Sequence, residues 1–273
     1  MISMPDKCQI LLTNDDGIQS PGLWAAAEAL STLGYVHVVA PREQMSGVGR
    51  SLPLTSDGKI AAHKLTVHEK EWTVYAVGGT PAQAVLHGVL EVMPVWPDLV
   101  VSGINYGENL GTGVTISGTV GAALEAASLG IPALAASLQV PSSSYLSYSR
   151  EIDFSTAQFF VTLFARRILE QGLLPDVDVI KLDVPTIATP ATPWEITRQS
   201  RNRYYRPLKP QRQSWDEPAY VGFELSVDPR SLPDDSDIYA LLVKQVVSVT
   251  PLSIDLTSRV NKEELKGFFS KPV

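Results

Sequence analysis

Apolar runs alternate with stretches of helical period through the first two-thirds of this chain. Cys8–Thr13 (CQILLT) is an apolar run ending in Asn14, Asp15, Asp16 and Gly17, the pattern of a strand buried on both faces and followed by a turn. Ser20 before Pro21 supplies an N-cap and a first helical position, and the period predicts a helix from Pro21 to Leu33 that stops at Gly34. Tyr35–Ala40, Pro97–Ser102, Ala133–Leu138 and Val177–Leu182 predict further strands. Helices are predicted from Pro81, capped by Thr80, and over Thr119–Leu129 and Phe154–Glu170. Between these, Arg42–Ser51 is a polar loop, and Leu52–Val77 predicts short strands with a hairpin turning at Asp57-Gly58. Gly103–Gly118 holds five glycines in 16 residues, at 103, 107, 111, 113 and 118, too many for a regular element.

This alternation predicts an α/β fold, a mostly parallel sheet covered on both faces. Such sheets bind ligands beyond the carboxyl ends of their strands. Three polar loops follow strands, at 14–17, 42–50 and 103–118, and are expected on that one edge. After about Pro190 the period fades. Arg198, Arg201, Arg203, Arg206, Lys209 and Arg212 lie among Tyr and Pro, then Asp237–Pro251 predicts two short strands and Lys262–Phe269 a closing helix. The chain therefore divides into a core, 1–190, and an extension or oligomerisation subdomain, 191–273. The basic cluster reads either as a solvated, ion-paired face or as a contact to a phosphorylated substrate or an acidic partner surface.

Composition narrows the function. The 273 residues carry 22 Lys+Arg against 29 Asp+Glu, a formal charge of −7, which argues against a nucleic-acid or acidic-membrane binder. Cys8 is the only cysteine, so an internal disulfide and a cysteine zinc cluster are excluded. Residues 126–149 form the longest uncharged stretch, but Gly130, Pro132, Pro141 and several serines interrupt it, so no membrane span is expected. Met1–Lys7 has no basic region leading into an apolar one, which makes a cytoplasmic location the expectation.

Asp15 and Asp16 are the sharpest chemical feature. Adjacent carboxylates repel, which raises one pKa unless a cation holds both, although Asn-Asp-Asp-Gly is also a good turn sequence. Ser46-Gly47 and Asn105 fall in loops on the same expected edge. Asp, Ser and Asn oxygens suit Mg²⁺, Mn²⁺ or Ca²⁺ better than zinc, and Ser46 or Asn105 taken alone reads equally as a local backbone hydrogen bond. Ser117-Gly118-Thr119 opens a helix after the glycine loop, as either an anion site or a plain cap. His37, His63, His68 and His87 show no metal-ligand spacing, and Walker A, GxGxxG after the first strand, and GxSxG are all absent.

In this order ILLTNDDGIQSPG (10–22), VVAPREQMSGVGRSLPL (38–54), VGGTPAQAV (77–85) and PDLVVSGINYGENLGTGVTISGTVGAALEAASLGIPALAASL (97–138) resemble the SurE family of survival-protein nucleotidases, with a weaker match at 235–257. The resemblance implies a Rossmann-like three-layer core with a C-terminal hairpin exchanged between subunits of a homodimer or homotetramer. It implies hydrolysis of nucleoside 5′- and 3′-monophosphates, and for some members short polyphosphate, with one divalent cation per subunit, Mg²⁺ or Mn²⁺, and Ca²⁺ as a crystallographic substitute. The metal ligands would map onto Asp15, Asp16, Ser46 and Asn105, with Asp15 or Asp16 also a candidate base. Phosphate and substrate contacts would map onto Asn14, Gly47, Asn109, Ser117, Gly118 and Thr119.

The chain departs from the family pattern at Gln83, where an acidic residue is usual, at Arg50, where His is common, and at Gln245-Val246 in place of Gly-Tyr. Two further readings follow. An aspartyl-nucleophile phosphatase of the haloacid-dehalogenase type needs its carboxylates two residues apart, whereas these are adjacent. A nucleotide- or metal-binding regulator without turnover is the reading that the departures leave open.

Overall fold

The computed structural model describes residues 8–67, 70–145, 149 and 151–270. In chain order the strands are β1 (Cys8–Thr13), β2 (Gly34–Pro41), β3 (Ile60–Val67), β4 (Lys70–Val77), β5 (Leu99–Tyr106), β6 (Ala133–Leu138), β7 (Val179–Val184), β8 (Trp194–Ile196), β9 (Tyr205–Leu208), β10 (Gly222–Leu225) and β11 (Val247–Leu252). The helices are α1 (Pro21–Leu30), α2 (Pro81–His87), α3 (Gly118–Ser128), α4 (Ser155–Gln171), the short α5 (Asp237–Tyr239) and α6 (Lys262–Phe269). Nine strands form one sheet in the order β3-β4-β2-β1-β5-β6-β7-β11-β8, and β9 and β10 pair separately. The run β4-β2-β1-β5-β6-β7 is parallel, while β3 and β11 join antiparallel.

The apolar run of β1 behaves as a doubly buried strand should. Ile10 and Leu12 pack on one face with residues of α1 and α4, and Leu11 packs on the other with Val120 and Ala123 of α3 and Val85 of α2. The result is three layers, with α1 and α4 on one side and α2 and α3 on the other. The chain turns from β1 to β2 in one direction and later lays β5 on the opposite side of β1. That reversal makes the carboxyl ends of β1 and β5 the place where a doubly wound sheet opens a crevice.

Three local expectations change. The hairpin joins β3 and β4 with Val67 opposite Lys70, so these two strands are not paired about Asp57-Gly58. Asp57 instead accepts a hydrogen bond from the Lys59 N–H (3.0 Å) and faces Arg42 (3.5 Å), which braces a turn ahead of the pair. Gly103 and Asn105 belong to β5, which shifts register against β6 between Ser102 and Asn105. Glycine fits there because a Cβ on Gly103, at φ +135°, would lie 2.3 Å from the Ala136 carbonyl oxygen.

Finally, 237–244 is helical, not a strand. Ser236 caps it, and Ile238 and Leu241, spaced by one helical turn, are both buried. The boundary expected at residue 190 falls within the sheet, since β8 and β11 extend it beyond β7. No helix among the described residues is long and apolar enough to cross a membrane. Met1–Lys7 and His68 lie outside the described residues.

Candidate functional site

The three polar loops meet at the β1/β5 crevice. Met45 N–H donates to the Asp15 carbonyl (2.7 Å), and Ile18 N–H donates to the Pro41 carbonyl (2.8 Å), tying the loop after β2 to the turn after β1. Gly49 N–H donates to the Ile116 carbonyl (2.9 Å), tying the same loop to the start of α3. Arg50 seals this junction with an ion pair to the buried Glu125 of α3 (2.6 Å).

At the centre lie Asp15 and Asp16, both more than nine-tenths buried. Burial raises the pKa of Asp15, against the Thr119 hydroxyl and the backbone N–H groups of Thr119 and Gly118, which lower it. The Thr119 hydroxyl donates to Asp15 Oδ1. Burial, then the charge of Asp15, push Asp16 well above the ordinary carboxylate value, while the Tyr106 N–H (3.1 Å) and the Gln44 side-chain amide (3.2 Å) donate to it. A Cβ on Gly118 would sit 2.7 Å from Asp15 Cβ, so only glycine lets the helix start approach this closely.

The other expected residues fall into distinct groups. Thr119 is fully buried and serves Asp15; with Gly118 it gives the anion-holding start of α3 an occupant from the chain itself. Ser117 is the N-cap, accepting from Val120 N–H (3.1 Å), and its own O–H remains a donor. Asn14 is fully buried and braces the turn through both ends of its amide, to Gly17 N–H and Gly17 carbonyl (3.1 Å each). Asn105 donates to the Gly107 carbonyl (2.6 Å), which leaves its amide oxygen as an acceptor. It sits opposite Ser137 in the sheet, and Asn109 donates to the hydroxyl of that same Ser137 (2.8 Å), so the two asparagines flank one serine. Ser46 and Gly47 are exposed on the loop that Met45 fixes to Asp15.

Sequence reasoning missed Gln44, which donates to both Asp16 and the Tyr145 carbonyl (3.0 Å), and Ser137. Neither carries a local signal, because each acquires its partner from across the sheet edge. A cavity of about 1180 Å³ lies beside the loop 108–116, with Glu108, Thr115, Ile116, Tyr145, Arg203 and Tyr205 in its wall. The buried Glu108 carboxyl accepts from the Tyr204 hydroxyl (2.5 Å) and has its pKa raised, by burial first.

The donor set fits a divalent cation. Two adjacent buried carboxylates, with the charge of Asp15 raising the pKa of Asp16, gain most from a cation, and the neighbouring Asn and Ser oxygens are hard, neutral donors. Among the described residues no group of three or more His, Cys, Asp or Glu gathers, so such a site rests on two acids.

The family model described as "Survival protein SurE" matches residues 10–206. The chain belongs to the SurE family. A relative in Thermococcus kodakarensis named 5′-nucleotidase SurE is 41% identical over 265 residues, covering 97% of this chain and 100% of that one. One of the same name in Archaeoglobus fulgidus is 42% identical over 275 residues, covering 96% and 97%. The crystal structure of the SurE protein from Aquifex aeolicus superposes with a TM-score of 0.73 at 32% identity, covering 96% of this chain and 99% of that one. Within this SurE chain the departures at Gln83 and Arg50 have structural work. Gln83 completes a capping box with Thr80 and holds Ser56 (2.7 Å) and the Pro53 carbonyl (2.9 Å), and Arg50 pairs with Glu125.

Proposed function

We propose that this chain is a divalent-cation-dependent nucleotidase that hydrolyses nucleoside 5′-monophosphates, and 3′-monophosphates as well, to nucleoside and phosphate. The observation that carries the reading is the pair of buried, mutually repelling carboxylates, Asp15 and Asp16, held at the crevice of a SurE-family sheet. Asp15, Asp16, Asn105 and Ser46 would hold the cation. The chemistry supplied by a divalent cation there is neutralisation of phosphoryl charge and a lowered pKa for an attacking water.

The chain's own residues do the rest. Thr119 and the start of α3 donate to Asp15 and aim it, and Gln44 and the Tyr106 N–H do so for Asp16. Ser117 O–H and the Asn109 amide are the donors for the phosphoryl oxygens, where charge grows as the ester bond breaks. The cavity walled by Tyr145, Tyr205 and Ile116 is large enough for the nucleoside. Short polyphosphate would meet Arg203 in the same wall. The oligomer is a homodimer or homotetramer joined through the β9–β10 hairpin, whose Phe223 and Leu225 are more than half exposed in the single chain.

The test is phosphate release from the 5′- and 3′-monophosphates of adenosine, guanosine, cytidine and uridine with Mg²⁺ or Mn²⁺, beside a chelator and Asp15→Asn. Release that needs the metal and vanishes in the variant is expected. Folded protein that binds nucleotide but releases nothing with any metal overturns the reading in favour of a binding protein.

A further inference from the structure

Strand β7 reads Val-Ile-Lys-Leu-Asp-Val, and both of its charged side chains are fully buried. Lys181 Nζ lies 2.5 Å from Asp183 Oδ2 and 3.3 Å from Asp237 Oδ2, and Asp237 is also fully buried. One cation among two carboxylates leaves a surplus negative charge, which burial alone makes very costly. Backbone donors offset it. Asp183 Oδ1 accepts from Asn109 N–H (2.7 Å), and Asp237 Oδ2 accepts from Gly111 N–H (3.0 Å). Asp237 Oδ1 accepts from Ser200 N–H and Ile238 N–H (2.9 Å each). Hydrogen bonds to ionised acceptors are shorter and stronger than neutral ones. Two of these four donors lie on either side of Leu110, within the loop that carries Asn109 past the site.

The same turn is gripped from outside. Thr112 N–H donates to the Asn202 carbonyl (3.1 Å), and the Gln199 side chain donates to the Gly111 carbonyl (3.0 Å). Burial pushes the Lys181 pKa down, but Asp183 and Asp237 outweigh it, so the ammonium stays charged. The Asn109 side chain reaches Ser137, which stands opposite Asn105, so a shift of the Asn109 backbone is felt among the candidate ligands.

We propose that Lys181, Asp183 and Asp237 form a buried positioning cluster that locks Asn109 and Gly111, and through them sets the phosphate-side loop of the site. The inference rests on the nucleotidase reading for the role of Asn109, while the cluster itself rests on its contacts. None of the three touches substrate; each acts through the backbone of the loop. The arrangement joins β7 and the start of α5, two elements far apart in sequence, to the one loop that lies between Asn105 and Ser117.

A double-mutant cycle between Asp183 and Asn109 tests it, with nucleoside monophosphate hydrolysis read as kcat and KM, and hydrogen exchange read over residues 107–113. Asp183→Ala is expected to lower kcat by about 100-fold with a smaller change in KM, since a small misplacement of a substrate-holding group costs that much. Asp183→Asn, which keeps an acceptor for the Asn109 N–H, recovers at least tenfold of it. In the Asn109→Ala background the Asp183→Ala loss largely disappears, because the group being positioned is gone. Exchange over 107–113 is slow in the parent and fast in Asp183→Ala and Lys181→Met.

Additive losses in the cycle, full activity of Asp183→Ala, or equally fast exchange in parent and variants overturns the cluster's role. If Asp183→Ala does not fold, the same cycle and exchange measurement run with Asp183→Leu, which fills the same space and offers the Asn109 N–H no acceptor, decide. If the parent releases phosphate from no monophosphate, the nucleotidase reading falls, and the exchange comparison still judges the cluster.

Discussion

Asp15 and Asp16 share the same burial but not the same company. Asp15 is held by a hydroxyl and the start of a helix, Asp16 by a backbone N–H and the Gln44 amide. Asp15→Asn keeps the shape and removes the charge, and kcat/KM is expected to fall by about 100-fold or more in steady-state assays, the loss of several kcal/mol of charge stabilisation. Thr119→Val keeps the volume and removes only the donor to Asp15. Activity, or metal affinity measured by calorimetry, is expected to drop by about 10–100-fold, the usual cost of losing an outer-shell partner.

Glu108 gives a pH prediction. Its folded pKa is raised, so the folded state binds its proton more tightly than the unfolded chain does, and stability falls as pH rises above the ordinary glutamate value of 4.5. Glu108→Gln retains the acceptor for Tyr204. The variant is expected to melt above the parent at pH 8, with the gap closing as the pH is lowered toward 4.5; calorimetry across that range checks it. Of these residues the aspartate pair and Thr119 announced themselves in the sequence, the first as adjacent acids after an apolar run and the second as a hydroxyl at a helix start. Gln44, Ser137 and Glu108 look like ordinary loop, strand and surface residues until the sheet brings them together.

Among the elements, α2 shows how a departure from a family pattern is absorbed. Gln83 accepts from Thr80 N–H (3.0 Å) and from Ser56, and donates to Pro53, so it caps the helix and fixes the turn at 53–56 at once. Gln83→Ala is expected to cost about 1–2 kcal/mol in chemical denaturation, the scale of a lost cap plus a freed partner, with no change in the ratio of rates on AMP and CMP. A changed ratio places Gln83 in base selection instead. Helix and strand existence followed the hydrophobic period closely for β1, β2, β6, α1, α3 and α4, where one period dominates a long segment.

The period misled where two signals competed. Of the two short strands that Asp237–Pro251 predicts, only β11 forms; over 237–244 the Ser236 cap and the one-turn spacing of Ile238 and Leu241 prevail over the sheet preference of Ile, Tyr, Leu and Val. Ser20 illustrates the reverse. It stands at the N-cap of α1 as expected, but its hydroxyl makes no capping bond, and its carbonyl accepts from the Leu23 N–H (3.1 Å).

For the whole molecule, the sheet is one continuous nine-stranded surface in which β11 and β8 stand beyond β7. The β9–β10 pair is thinly covered: Phe223, Leu225 and Val221 are at least half exposed, as are Trp215 and Tyr220 in the span that joins the strands. The proposed oligomer places these apolar side chains out of water. Light scattering is expected to give at least twice the 29.6 kDa of one chain, and replacing Phe223 and Leu225 with Ser is expected to shift the mass toward one chain. A parent that runs as a single chain at all concentrations refutes the hairpin interface.

Local sequence sets the alternation of buried strands and amphipathic helices, and hence the class of sheet. It also places two acids after the first strand, because apolar period and turn chemistry are local properties of the chain. The SurE resemblance was legible for the same reason, since its motifs lie on contiguous loops. The folded arrangement alone sets which residues surround those acids, and that the helix start at Gly118 is already engaged with Asp15. It alone showed that Lys181 and Asp183, two charges in an apolar strand, reach Asp237 and the loop at Asn109. Those contacts join residues up to 126 positions apart, and a pairing at that distance is fixed by strand order and packing, which no local pattern encodes.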